Sequence, residues 1–345
     1  MDINSVIQFL REYDGEDISI MEVCGTHTAS ISENAIDSII SSKIHLISGP
    51  GCPVCVTVSS YVDRLCQLAL EGNTIVTFGD MIRVPGSKYA LKDIKAMGGE
   101  VKMVYSPMEA LTLARKNKNK QFVFAAVGFE TTTPIYAVLI DEMLQKGITN
   151  LRLLTALKTM PNVISTICES DSTVSGFLAP GHVAAITGSD AFERLAKKHN
   201  VPFVVSGFKG EEILASVYAL VKLQGQGKCL NLYKQVVREQ ENKKAAMAVN
   251  KYLEPYDAPW RGLGVIKGSG MKIKDEYSKF DAGSQQLVED FSFQNGCSCG
   301  DVIIGKKKPN QCPLFKKLCT PENPRGACMV SGEGACFNYY VNNRG

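Results

Sequence analysis

The residues best equipped for chemistry in this 345-residue chain are its 12 cysteines, and their spacing sorts them into groups. Two stand in Gly49-Pro-Gly-Cys52-Pro-Val-Cys55. CxxC spacing lets both sulfurs face one point, so the pair could chelate a metal or close a disulfide. The stretch follows a strand-length run and opens a helix, where amide N–H groups and the helix dipole favour a thiolate. A third thiol lies in Met21-Glu-Val-Cys24-Gly-Thr-His27-Thr28. There Cys24 and His27 could together ligate a metal or move a proton. Taken alone, His27 reads more simply as a hydrogen-bonded structural residue.

Six more cysteines crowd the end of the chain: Cys297, Cys299, Cys312, Cys319, Cys328 and Cys336. A cubane iron–sulfur cluster takes four thiolates, which leaves an even pair, enough for one redox-active disulfide. A structural zinc site usually draws its ligands from CxxC knuckles, and this block has none. Pro313, Pro321, Pro324, Gly326, Gly332 and Gly334 suit loops whose amides approach sulfur. Cys66, Cys168 and Cys229 lie in apolar or helical settings and read as packing residues.

The elements that must position these groups alternate. Ile44–Ser48, Thr74–Phe78, Val101–Tyr105, Phe122–Val127, Leu151–Leu157, Gly176–Ala179 and Phe203–Ser206 have strand length. Between them Val58–Glu71, Met108–Asn117, Tyr136–Gln145 and Ala191–His199 read as helices. Strand–helix alternation implies parallel sheets, and in such sheets ligands bind at the carboxyl ends of the strands. The polar loops fall there, so Glu22, Asp80, Arg83, Glu130, Thr131 and His182 are candidate cleft residues, with Arg83 and His182 suited to anions, and Glu333 joins them from the motif next to Cys336. The expectation is an α/β chain: two parallel-sheet domains (1–120 and 121–228) with a cleft between them. A segment 229–345 follows as a helical connector (Leu230–Lys251), a Gly-rich linker near Trp260–Gly270 and a cysteine-rich iron–sulfur domain.

A net charge of +3 and a pI near 8.2, without a long basic run, leave no footprint for nucleic acid. No signal peptide is visible, and no apolar run reaches the ~18 residues of a membrane span. A cytoplasmic location is expected, where clustered thiols bind metal or exchange electrons more often than they staple a fold.

Several stretches match one known family. Glu22-Val-Cys-Gly-Thr-His-Thr28, Gly49-Pro-Gly-Cys-Pro-Val-Cys55, Phe78-Gly-Asp-Met81, Gly128-Phe-Glu-Thr-Thr132, Ala179-Pro-Gly-His182, Cys319-Thr-Pro-Glu-Asn-Pro324 and Cys328–Cys336 resemble the hydrogenase maturation family HypD. The resemblance implies a role in assembling the Fe(CN)2CO group of [NiFe]-hydrogenases, with a small HypC-type chaperone and a HypE-type cyanide donor as partners. It implies that Cys24, Cys52 and Cys55, with His27 close by, form the site that holds the transient iron. It implies a [4Fe-4S] cluster on Cys297, Cys312, Cys319 and Cys336, with Cys299 and Cys328 as a redox pair. Electrons would then pass from an external reductant through Cys299/Cys328 and the cluster to thiols in a distant N-terminal site. The competing expectation is a stand-alone thiol–disulfide oxidoreductase of the ferredoxin:thioredoxin reductase kind.

Overall fold

A computed structural model describes residues 2–170, 173–288 and 296–342. Its strands are β1 (Ile18–Glu22), β2 (Ile44–Ser48), β3 (Thr74–Thr77), β4 (Val101–Met103), β5 (Phe122–Gly128) and β6 (Leu151–Lys158). Then come β7 (Gly176–Pro180), β8 (Phe203–Ser206), β9 (Cys229–Asn231), β10 (Leu253–Trp260) and β11 (Gly264–Ile273). One sheet has the order β2-β1-β7-β8-β9 and is parallel throughout. The other has the order β10-β11-β6-β5-β3-β4, parallel from β3 to β6, with the β10–β11 hairpin added antiparallel.

The strands read as they pack. Every residue of β5, Phe-Val-Phe-Ala-Ala-Val-Gly, is buried, the near-continuous apolar run of a strand covered on both faces. The connecting helices carry explicit start signals. Ser106 accepts the Met108 N–H at 3.2 Å while Glu109 accepts the Ser106 N–H at 2.9 Å, a reciprocal cap for the helix Pro107–Lys116.

The sheets cut across the division at residues 120 and 228. β2 pairs with β1 and β1 with β7 (Glu22 opposite Leu178), whereas β3 and β4 join β5 and β6 in the second sheet. The chain therefore starts in one sheet, crosses to the other for β3–β6, returns for β7–β9 and crosses again for β10–β11. Alternation along a sequence identifies strands but carries no label for the sheet that each joins. The linker expected near Trp260–Gly270 is instead part of the hairpin, and the helix before it shrinks to Lys243–Tyr252. Pro255 and Pro259 hid β10, yet β10 is an edge strand, where a missing N–H donor is tolerated.

The cysteine-rich segment is not a detached lobe. Cys299, Cys312, Cys319, Cys328 and Cys336 share one buried core with Cys52, Cys55 and Trp260. Among the described residues no helix is long and apolar enough to cross a membrane.

Candidate metal and thiol centre

Loops at the carboxyl ends of β1, β3, β5 and β7 enclose a cleft of about 420 Å³. Cys24, Asp80, Thr131, His182 and Glu333 all line it. Cys24 follows β1 in an extended conformation and caps the helix Gly25–Glu33. The loop 49–51 lies against it: a Cβ on Gly51 would stand 2.2 Å from the Cys24 nitrogen, so only glycine permits this approach. Burial, and next the charge of Glu333, push the Cys24 thiol up to about 12. Glu333 reaches the cleft from the cysteine-rich segment, where burial and then Asp80 raise its own pKa. Asp80 in turn accepts the Ser331 hydroxyl at 3.0 Å. Two carboxyls and one thiol thus gather here, Asp80 disfavouring charge on Glu333 and Glu333 on Cys24.

His182 and His27 divide the work differently from the sequence expectation. His182 lines the cleft and stacks on Phe208 at 4.0 Å between ring centroids. His27 is wholly buried, lies 4.8 Å from the same phenyl ring and is absent from the cleft lining. Its Nε2–H donates to the Gly207 carbonyl at 2.9 Å, and burial lowers its pKa to about 4, so the ring is neutral. His27 therefore reaches the cleft through Phe208. Phe208 itself escaped notice, although it sits in a loop just after β8, the position that flagged the other groups.

Glu22, Arg83 and Glu130 stand outside the cleft lining. Arg83 donates to the Pro321 carbonyl at 3.3 Å on the exposed side. Glu22 lies beneath Cys24, accepting its N–H at 3.0 Å and the hydroxyl of Thr28. Burial raises Glu22 to about 8. The folded chain then holds a proton that the unfolded chain releases near the ordinary carboxyl value. Stability therefore falls as pH rises through that interval and levels off above it. Glu22→Gln removes the effect while keeping the shape. Its advantage over the parent in unfolding free energy should grow between pH 5 and 8 by up to about 1.4 kcal/mol per pH unit. Urea titrations across that range check it, and a difference that does not change with pH would contradict it.

The family described as "HypD: Hydrogenase formation hypA family" matches residues 2–343. The chain belongs to the HypD family. It is 40% identical over 337 residues to the hydrogenase maturation factor HypD of Rhodobacter capsulatus, covering 94% of this chain and 89% of that one. It is 38% identical over 356 residues to the HypD of Escherichia coli K12, covering 98% and 94%. A putative hydrogenase expression/formation protein of Methanocaldococcus jannaschii is 37% identical over 327 residues, covering 94% and 91%.

In this HypD-family chain the CxxC pair is joined to the C-terminal cysteines, while Cys24 stays apart. The Cys55 N–H donates to Cys52 Sγ at 3.2 Å, and the Cys55 thiol hydrogen-bonds with both Cys52 and Cys328. Cys328 also bonds with Cys299 and Cys336, and Cys299 with Cys297. Cys24 opens instead into the large cleft, while Cys52, Cys55 and Cys328 share a smaller cavity behind it. Nothing in the sequence showed that the tail folds back onto the CxxC loop.

Six thiols surround one further cavity. Backbone amides point at two of them: Ser298 N–H at Cys312 Sγ (3.5 Å) and Arg325 N–H at Cys319 Sγ (3.3 Å). A Cβ on Gly326 would lie 3.0 Å from Cys297 Sγ, so glycine lets the loop close over the sulfurs. Among the described residues no three His, Cys, Asp or Glu side chains converge tightly enough for a single metal ion. Six thiols with N–H groups aimed at sulfur are a donor set that fits a polynuclear iron–sulfur cluster.

Proposed function

We propose that this chain is a hydrogenase maturation factor that holds one ferrous ion at Cys24 while cyanide and carbonyl ligands are attached. In this reading the product is the Fe(CN)2CO group, the small partner is a HypC-type chaperone and cyanide comes from a HypE-type donor. The observation that carries it is the whole-length HypD match combined with a thiol, Cys24, in a cleft that also holds Asp80, His182 and Glu333. A soft thiolate suits Fe(II) carrying strong-field ligands. Cys24 is a neutral thiol until the metal displaces its proton, so loading releases a proton. Cyanide makes the iron fragment anionic. The cleft meets that charge with two helix N-termini, Gly25–Glu33 behind Cys24 and Thr133–Gln145 behind Thr131 and Thr132. Burial and Asp80 raise the pKa of Glu333, and in its protonated form it can donate a hydrogen bond to a cyanide nitrogen. One protein thiolate leaves the other coordination positions to the incoming ligands, His182 and the partner.

The thiol line supplies a switch for the neighbouring CxxC pair. The cluster assigned to Cys297, Cys312, Cys319 and Cys336 provides electrons when bound. Cys328 thiolate attacks Sγ of Cys55 in a Cys52–Cys55 disulfide, and Cys52 leaves as a thiolate stabilised by the Cys55 N–H. Cys299 thiolate then attacks Cys328, which frees Cys55 and moves the disulfide to Cys299–Cys328. An external dithiol reduces that bond, taking up the oxidation. Such contacts would also serve a general thiol–disulfide oxidoreductase, and the match to maturation factors along the whole chain favours the maturation reading over it.

Expression in a cell lacking its own HypD protein tests the assignment. Hydrogenase activity should return, and the small chaperone should co-purify with the chain. A well-expressed chain that restores no activity would overturn it.

A further inference from the structure

Basic side chains gather on the cysteine-rich segment. Residues 296–342 hold six bases and only three acids, an excess of +3 that equals the net charge of the whole chain. The bases are Lys306, Lys307, Lys308, Lys316, Lys317 and Arg325, and all six are exposed. Of the acids, Glu333 lines the cleft, Asp301 pairs with Lys307 at 2.8 Å, and Glu322 is exposed. From the helix Ile36–Ile39, Asp37 faces Lys308. Among the described residues no carboxylate forms an ion pair with Lys306, Lys317 or Arg325.

These side chains belong to the loops that wall the six-thiol cavity. Lys307 Nζ donates to Ser298 Oγ at 3.5 Å, beside the Ser298 N–H that points at Cys312 Sγ. Arg325 aims its backbone N–H at Cys319 Sγ, and its Nε–H donates to the Leu318 carbonyl at 3.4 Å. Lys316 and Lys317 ride on the turn in which the Cys319 N–H closes on the Leu314 carbonyl at 2.9 Å. Leu318, 58% exposed, adds an apolar side chain between Lys317 and Cys319. Cys297, Cys312 and Cys319 line the cavity, and Cys297 is only half-buried, so sulfur comes close to this surface. None of the six bases lines the Cys24 cleft.

We propose that this face docks a small acidic electron-carrier protein, which charges the cluster in the six-thiol cavity one electron at a time. The proposal rests on the cluster reading above and names the source of its electrons. At each docking the carrier is oxidised by one electron and the cluster is reduced by one, with no bond or proton exchanged. A carrier must bring its own redox group against the wall of the cavity, and the bases stand on that wall. A one-signed rim steers an oppositely charged partner into register and speeds its arrival. An apolar residue inside a charged rim is the usual composition of a docking face, and Leu318 supplies it. Because the cleft lies elsewhere, the carrier and the small maturation partner can be bound together.

The test uses the full chain, purified anaerobically, and a plant-type [2Fe-2S] ferredoxin as the acidic probe. Calorimetric titration with oxidised ferredoxin at an ionic strength of about 0.01 M should show one molecule bound per chain. Affinity should fall at least about tenfold at about 0.15 M, where charges are screened beyond about 8 Å. Lys317→Glu with Arg325→Glu should weaken binding at least about tenfold. The same variant should slow cluster reduction by reduced ferredoxin in stopped-flow absorbance, while dithionite reduces it at the parental rate. Lys116→Glu with Lys118→Glu makes the same change of net charge on an exposed stretch elsewhere and should bind as the parent does. Lys306→Glu serves if the first variant carries too little iron. No complex at low salt, equal weakening by the two double variants, or equal affinity for a single-stranded DNA would overturn the proposal. A chain without acid-labile sulfide would refute the cluster reading and this proposal with it, a failure distinct from a loaded cluster that ignores the charge reversal.

Discussion

Cys24→Ala should abolish hydrogenase maturation, lowering activity in a complemented cell at least about 100-fold, because it deletes the one thiol among the described residues that opens into the cleft. The loss should be specific. Cys24 lies away from the cavity that Cys297, Cys312, Cys319 and Cys336 line, so iron and acid-labile sulfide per chain should stay at parental levels. Folding should also survive, since alanine keeps the backbone N–H that Glu22 accepts and the extended φ of −150° that starts the helix. A matching control is Cys66→Ala. Its thiol is buried in the helix Ser59–Leu70 and lines neither the cleft nor the two thiol cavities, so maturation should stay intact. Activity retained in the Cys24 variant would contradict the assignment.

The second large effect concerns the thiol line. With Cys52 and Cys55 first oxidised to a disulfide, addition of dithiol should reopen that bond quickly in the parent. In Cys328→Ala it should reopen at least about 100-fold more slowly. Cys328 touches Cys55 within a buried core, and an attacking group held in contact has an effective concentration far above any solution thiol. Alkylation of quenched samples, read by mass spectrometry, reports which cysteines are free at each time. Cys299→Ala should behave differently: the first exchange proceeds, and a Cys55–Cys328 mixed disulfide accumulates. Equal reopening rates in parent and Cys328→Ala would show that the contact carries no exchange.

What could be read without coordinates follows from the range of each signal. Strands such as β5 and caps such as Ser106–Glu109 are set by residues within a few positions, so composition and spacing exposed them. The rule that ligands gather at the carboxyl ends of parallel strands brought Cys24, Asp80, Thr131 and His182 to notice, the motif beside Cys336 brought Glu333, and all five line one cleft. The same rule also raised Glu22, Arg83 and Glu130, because it cannot tell which way a loop residue points. His27 and His182 illustrate the limit. Both are imidazoles just after strands, yet one is wholly buried and the other lines the cleft, a difference set by Phe208 between them. Long-range pairing was invisible. That β1 lies beside β7, and that Cys55 meets Cys328, depends on contacts more than 150 residues apart.

Infrared spectroscopy of the chain purified anaerobically with its small partner tests the central claim most directly. The parent should show stretching bands of iron-bound cyanide and carbonyl, Cys66→Ala should show the same bands, and Cys24→Ala should show none. Undiminished bands in Cys24→Ala would place the iron elsewhere and refute the cleft as its site.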